Sequence, residues 1–304
     1  MCLELFTLPD LQQEERIIAA RMKENGGIYG YIDNPYPCGL FPDKELRELS
    51  FDRITILYGG NGSGKSTLLN LIAQKLELNR IAPFNTSETF GLYVEKCDYV
   101  LGYDDEGFRH RIPDGSRIIT SDDIFDYMLM LRSNNEEIAE EKEHGKEVYA
   151  ELRYGSTLKF SGLDDYEAFR TQVLARKKTM TRRQFVKRTV GDEVTPNSNG
   201  ETALKYFETK LKNDTLYCLD EPENSMSPKM QLELMQMLQG MARWCGCQFI
   251  IATHSPFLLA MENARIFDLD SAPVSIRKWW ELENTKVYYS FFRQYADLFE
   301  EDRE

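Results

Sequence analysis

The sequence predicts an α/β fold in which a largely parallel sheet is interrupted by an inserted helical lobe. Three observations lead to it. Apolar runs at 53–58 (RITILY), 215–219 (TLYCL) and 247–253 (CQFIIAT) read as buried strands. Helical patterns follow the first two, as a βα alternation requires. From about 120 to 200 the chain turns mostly helical, after which the alternation resumes.

Taken in order, residues 11–25 predict a short helix ending at Gly26-Gly27. Residues 28–50, rich in Tyr, Pro and Gly, predict irregular chain. The strand at 53–58 runs into a glycine-rich turn, Gly59 to Ser66. A helix over 65–78 follows, with Leu68, Ile72 and Leu76 recurring every four residues. The alternation within 88–119 (GLYVEKCDYVLGY, then SRIIT) predicts short antiparallel strands. Ser121 to about Arg153 predicts a long helix carrying Phe125, Leu129, Ile138, Val148 and Leu152, and a second helical stretch covers about 164–190. Pro196, Asn197, Ser198 and Asn199 predict a loop, and a helix begins at Glu201. After the 215–219 strand, Ser227-Pro228 is a good start for a helix reaching Trp244.

Composition narrows the function. The chain has 304 residues, enough for one large domain or two small ones. Hydrophobic residues make up 42%, so a packed core is feasible. The net charge of −13 argues against a generally basic nucleic-acid binder. The mean hydropathy of −0.49 and the lack of a long apolar run predict no membrane span. The first residues turn acidic at once, without the basic start of a signal peptide. The six cysteines form no CxxC, which predicts reduced thiols and a cytoplasmic protein. His110, His144 and His254 lie too far apart in sequence to propose a zinc site.

Residues 59–66 read Gly59-Gly60-Asn61-Gly62-Ser63-Gly64-Lys65-Ser66, the spacing GxxxxGK[ST] between an apolar strand and an amphipathic helix. Glycines let backbone N–H groups turn inward around a phosphate, and the helix start adds its positive end. Lys65 reaches the β- and γ-phosphates, and the Ser66 hydroxyl suits Mg²⁺. Thr67 continues the loop into the helix. The strand TLYCL ends in Asp220 and Glu221. There Asp220 would help hold Mg²⁺, and Glu221 would act on the attacking water as general base. A surface acidic turn is the plainer alternative. His254 leaves the 247–253 strand, predicted to lie beside 215–219, so its imidazole would point to the γ-phosphate. A lone histidine is otherwise an ordinary structural residue.

GxNGSGKST, then an apolar strand ending in DEP, then one ending in THSP, resembles ABC-type ATPase domains. DEPENSMSPKMQ with FIIATHSPFLLA is closer to their soluble branch, related to RecF, SMC and OLD-family proteins. YPCGLFP and SNGETALKYF add a likeness to stand-alone bacterial ATPases. The resemblance implies a P-loop NTPase fold of ABC type over 1–304 with a helical lobe inserted at 120–200. It implies the Walker A loop at 59–67, the Walker B carboxylates at Asp220 and Glu221, and ATP and Mg²⁺ as ligands. It implies a signature loop that completes the site of a second copy. The candidate is Ser198-Asn199-Gly200-Glu201, which departs from LSGGQ at Asn199 and Glu201; a simple helix N-cap at Ser198 is the other reading.

Two further departures stand out. The junction IITSDDIF has no glutamine where the family has one. Asp122 would either replace it as a water-mediated metal ligand or cap the following helix. After DEP, Glu223-Asn224-Ser225-Met226-Ser227 carries no aspartate, unlike transporter-type domains. An adenine-stacking aromatic stays open among Tyr29, Tyr31, Tyr36 and Phe41. Arg265, Asp268 and Asp270 read as bounding a strand rather than as a metal site.

Between 170 and 190, Arg170, Arg176, Lys177, Lys178, Arg182, Arg183, Lys187 and Arg188 occur with no acid. The segment is a solvated, ion-paired lobe or a contact for nucleic acid. The expected function is Mg²⁺-dependent ATP hydrolysis coupled to formation of an ATP-bound homodimer and to control of a protein partner. The alternatives are a slow nucleotide-gated switch, or the ATPase part of an anti-phage, toxin-like or DNA-associated system.

Overall fold

The computed structural model describes residues 2–24, 36–84, 86–104, 106–156, 166–189 and 198–300. Tyr29, Tyr31, Pro196 and Asn197 lie outside them. The chain divides into two compact units, one of 1–124 with 199–304 and one of 125–198.

The first unit is built on two sheets. The larger has the order β5-β6-β7-β3-β8-β9: β3 (Ile54–Tyr58), β5 (Arg117–Thr120), β6 (Leu216–Asp220), β7 (Gln248–Ala252), β8 (Arg265–Asp268) and β9 (Ser275–Arg277). All pairs are parallel except β8–β9. Every residue of β3 and β7 is buried, which is why these strands read as unbroken apolar runs rather than as alternation. Tyr217 and Phe249, paired in register across β6 and β7, stack with centroids 5.6 Å apart. The smaller, antiparallel sheet has the order β2-β1-β4: β1 (Leu3–Thr7), β2 (Glu48–Ser50) and β4 (Asp98–Leu101). Gln248 joins the two sheets. Its carbonyl oxygen accepts from the Leu3 N–H (2.8 Å) and its amide donates to the Leu3 carbonyl (2.7 Å).

Helix α1 (Leu11–Glu24) precedes the irregular segment, and α2 (Lys65–Lys75) follows β3. The latter buries Leu68, Leu69, Leu71 and Ile72. Residues Glu88–Lys96 form a helix, α3, and not the strand predicted there. Ser87 caps its start by accepting from the Phe90 N–H, and Phe90, Tyr93 and Val94 share one buried face. Among the described residues of 88–119 the strands are β4, antiparallel to β1, and β5, which pairs parallel to β6 and not antiparallel as predicted. Helix α7 (Asn199–Lys210) starts two residues before the predicted Glu201. Helix α8 (Pro228–Trp244) begins at Ser227, whose hydroxyl accepts from the Met230 N–H, as its sequence requires. A short α9 (Pro256–Leu259) leads to β8. After β9 come α10 (Glu283–Gln294) and α11 (Ala296–Glu300), where Tyr289, Phe291, Phe292, Leu298 and Phe299 are exposed.

The second unit holds most of α4 (Ser121–Tyr154), with α5 (Tyr166–Arg176) and α6 (Arg182–Thr189). Its small core is Tyr149, Ala175, Met180, Phe185 and Val186. Phe125 and Leu129, read as apolar contacts of α4, are exposed. Part of the basic segment is spent on structure. Arg176 donates to the carbonyls of Leu152 (2.9 Å) and Gly155 (2.8 Å). Lys177, Lys178, Arg182 and Arg183 are exposed, and the side chains of Lys187 and Arg188 lie outside the description. Among the described residues no helix is long and apolar enough to cross a membrane, and the six cysteines are unpaired.

Candidate functional site

Strands β3, β7 and β6 stand side by side and parallel, so the segments leaving their carboxyl ends meet. Such an edge is where open α/β sheets bind ligands. The glycine-rich turn follows β3, His254 follows β7, and Asp220 and Glu221 end β6. Strand β7 separates the turn from the carboxylates and places the histidine between them.

The turn has the shape of an anion cradle. Gly64 sits at φ 100°, left-handed, and a Cβ there would come within 3.1 Å of Phe41. Lys65 starts α2, and its ammonium donates to the Gly59 (2.7 Å) and Gly60 (3.0 Å) carbonyls. Burial lowers the Lys65 pKa, against the raising pull of Glu221 and Asp220. Two residues brace this turn: Asp270, read from the sequence as bounding a strand, and Lys44, which the sequence did not single out. Asp270 accepts from the Gly60 N–H (2.7 Å), and Lys44 donates to the Ser63 carbonyl (2.7 Å) and the Leu269 carbonyl (2.5 Å). Asp270 thus serves the loop, while Arg265 pairs with Asp52 (2.9 Å) and Asp268 with Arg277 (3.2 Å). A cavity of about 420 Å³ lies over the turn, lined by Tyr36, Leu40, Asn61 to Thr67 and Glu221.

Ser66 and Asp220 are brought together: the hydroxyl donates to Asp220 Oδ1 at 3.0 Å. A hydroxyl and a carboxylate are hard oxygen donors of the kind Mg²⁺ takes, usually one or two from the protein with substrate phosphates. Burial pushes the Asp220 carboxyl up to about 6. Ser66, Lys65 and Arg80 pull it down and Glu221 pushes it further up.

Glu221 adopts a left-handed backbone (φ 47°), a costly state for a non-glycine residue that is concentrated at functional sites. Its N–H donates to the Ala252 carbonyl (2.9 Å), and its Oε2 accepts from the Asn224 amide (3.1 Å). His254 Nε2 stands 3.5 Å from Glu221 Oε1, close enough for charge interaction but without hydrogen-bond geometry. Beneath them Glu223, also missed, accepts through Oε1 from the Thr253 hydroxyl (2.6 Å) and the His254 (2.9 Å) and Ser255 (3.1 Å) N–H groups.

The remaining candidates sit elsewhere. Asn199, Gly200 and Glu201 open α7 and do not line this cavity; Ser198 precedes them and is exposed. Packing favours glycine at 200, since a Cβ there would lie 2.5 Å from Met230 Sδ and 3.1 Å from the Ser225 carbonyl. Asp122 is exposed and caps nothing described; Asp123 does the capping. It accepts from the Ala82 (2.9 Å) and Thr120 (2.7 Å) N–H groups and the Thr120 hydroxyl (3.0 Å); the Thr120 N–H bond is the half of a capping box that a carboxylate at the third helical position supplies to the start of α4. Of the aromatic candidates, Phe41 is buried in the core and Tyr36 borders the cavity. The Tyr36 hydroxyl donates to Thr67 (2.9 Å). A larger cavity, about 530 Å³, lies at the opposite edge of the sheet, between Arg53 and Trp244. Lys65, Ser66 and Glu221 line the smaller one, and Asp220 adjoins it through Ser66, so it is the candidate site.

This site and sheet define a P-loop nucleotide-binding protein. The ABC transporter family matches residues 47–224, more than half of the chain. The chain belongs to that family, whose shared unit is the ABC ATPase cassette. The family described as "AAA domain, putative AbiEii toxin, Type IV TA system" matches residues 198–260. No curated protein matches. Among solved structures, the SMC head domain from Thermotoga maritima is 12% identical with a TM-score of 0.37, over 91% of this chain and 99% of that one. A dimeric post-hydrolysis ATP-binding cassette bound to ADP and Pi is 16% identical with a TM-score of 0.35, over 76% and 88%.

If burial sets the Asp220 pKa, its charge costs stability. The folded carboxyl keeps its proton up to about 6 and the unfolded one only to 3.8. Relative stability is therefore full below the lower value and is lost as pH rises through the upper. Asp220→Asn removes that cost. At pH 7.5 without metal the variant should be about 2–3 kcal/mol more stable, and the gap should close as pH falls from 6 towards 4. Urea melts check it; a variant no more stable than the parent at pH 7.5 removes the burial argument.

Proposed function

We propose that this chain is a Mg²⁺-dependent ATPase that dimerises on ATP, one ABC-type domain over 1–304 with a helical lobe at 120–200. The carrying observation is the convergence of Lys65, the Ser66–Asp220 pair and the Glu221–His254 pair at the ends of three adjacent parallel strands. In this reading the loop from Gly59 to Thr67 wraps the phosphates and Lys65 faces the β- and γ-groups. Ser66 and Asp220 hold Mg²⁺, which neutralises phosphate charge when bound. Glu221 takes a proton from the attacking water and His254 contacts the γ-phosphate. Ser198 to Glu201 act on the nucleotide of a second copy. The cytoplasm suits six reduced thiols.

Phosphate release, with and without Mg²⁺, tests the enzyme; no release above background in either condition overturns it. A slow switch is the second reading, favoured because the junction IITSDDIF carries no glutamine. Turnover of a few per hour or less would select it. A toxin-like partner system rests on the match at 198–260, and a bound chain in the purified native protein would support it.

The two-copy site makes a separate prediction. Ser198→Arg places a bulky cation on the face offered to the partner and leaves the phosphate cavity alone. ATP affinity should stay within about twofold, the scale of a surface change, while the ATP-dependent dimer is lost. Light scattering and calorimetry measure both. A loss of ATP affinity in the variant would withdraw residues 198–201 from the signature role.

A further inference from the structure

We propose that Glu223 is a positioning residue for His254: it fixes the imidazole against Glu221 without touching ATP. The idea rests on the ATPase reading above. Glu223 lies two residues past Glu221, yet its side chain turns beneath the end of β7 and is 9% exposed. A single oxygen, Oε1, takes three hydrogen bonds, from the Thr253 hydroxyl (2.6 Å), the His254 N–H (2.9 Å) and the Ser255 N–H (3.1 Å). Three consecutive residues of the β7 exit are therefore tied to one atom. That sets where the His254 backbone stands, and the ring then reaches to 3.5 Å from Glu221 Oε1.

The same segments are joined on either side. The Glu221 N–H donates to the Ala252 carbonyl (2.9 Å). Ser255 Oγ donates to Gln231 Oε1 (2.7 Å), and the Gln231 amide donates to the Met226 carbonyl (3.0 Å). Glu223 is the central tie between the loop carrying the base and the turn carrying the histidine. Its second oxygen is buried without a hydrogen-bond partner among the described residues, which is costly. Simple core filling would be served better by an apolar side chain. The acceptor role belongs to Oε1, so a glutamine carbonyl can reproduce it.

The experiment uses full-length protein. Glu223→Gln should keep kcat within about twofold of the parent. Glu223→Ala should lower kcat by about 10–100-fold with the KM for ATP within about twofold, the cost of a catalytic group displaced by an ångström or so. Thr253→Val, which removes one donor and keeps the shape, should lower kcat about threefold or more and serves if the alanine variant does not fold. A readout free of hydrolysis is the His254 ring resonance, assigned by its loss in His254→Ala. It should stay in place in Glu223→Gln and move in Glu223→Ala and Thr253→Val. Parent-like kcat with an unmoved resonance in the alanine or valine variant overturns the proposal. So does Glu223→Gln as impaired as Glu223→Ala, because charge would then matter and not the acceptor. A parent that releases no phosphate overturns the ATPase reading alone, and the resonance comparison still decides Glu223.

Discussion

Glu221→Gln should bind ATP, hardly hydrolyse it and hold two copies together. The carboxylate stands at the rim of the phosphate cavity, 3.5 Å from His254, on a left-handed backbone that the fold maintains at a cost. Glutamine keeps the size and can still meet Asn224, but it cannot take a proton. Loss of a general base should lower kcat by about 10²–10⁴-fold. ATP binding should be unchanged or tighter, because removing a negative charge beside the γ-phosphate relieves repulsion. If ATP joins two copies and hydrolysis releases them, the variant should be a dimer with ATP and a monomer, or a looser dimer, without it. Light scattering with and without nucleotide measures this. One mass in both conditions would end the ATP-driven step while leaving Glu221 as base open to the rate measurement.

The sequence made the site legible wherever the chemistry is local. The glycine turn, Lys65 and Ser66 are contiguous. Asp220, Glu221 and His254 each stand at the end of an apolar run that is buried on both faces. The residues that escaped work at long range. Lys44 meets Leu269 and Gly60 meets Asp270 across more than 200 residues, and Glu223 meets 253–255 across about 30. No spacing rule links such pairs.

The fold failed to read in a different way. Residues 88–96 look alternating as GLYVEK, but Phe90, Tyr93 and Val94 lie three and four apart, and Ser87 caps the start. Read with its cap, the segment is helical. Strand β1 and helices α10 and α11 carry no comparable flanking signal, and β1 exists because β2 and β4 pair with it.

Lys65→Ala should weaken ATP binding by about 2–4 kcal/mol, the loss of a charge-assisted contact in a desolvated site, or roughly thirty- to a thousand-fold in Kd. The ammonium has two duties here, since it also donates to the Gly59 and Gly60 carbonyls. A collapsed loop could therefore imitate a lost charge. The frame of the loop does not depend on Lys65 alone, because Asp270 holds the Gly60 N–H and Lys44 holds the Ser63 carbonyl. Lys44→Met separates the two effects. It loosens the same loop from outside and removes no cation from the cavity lining, so it should cost about 1 kcal/mol, one hydrogen-bonded brace. Calorimetry with ATP on both variants gives the answer. Equal losses would mean that Lys65 acts by shaping the loop, and equal affinity in Lys65→Ala and the parent would remove the phosphate-loop assignment.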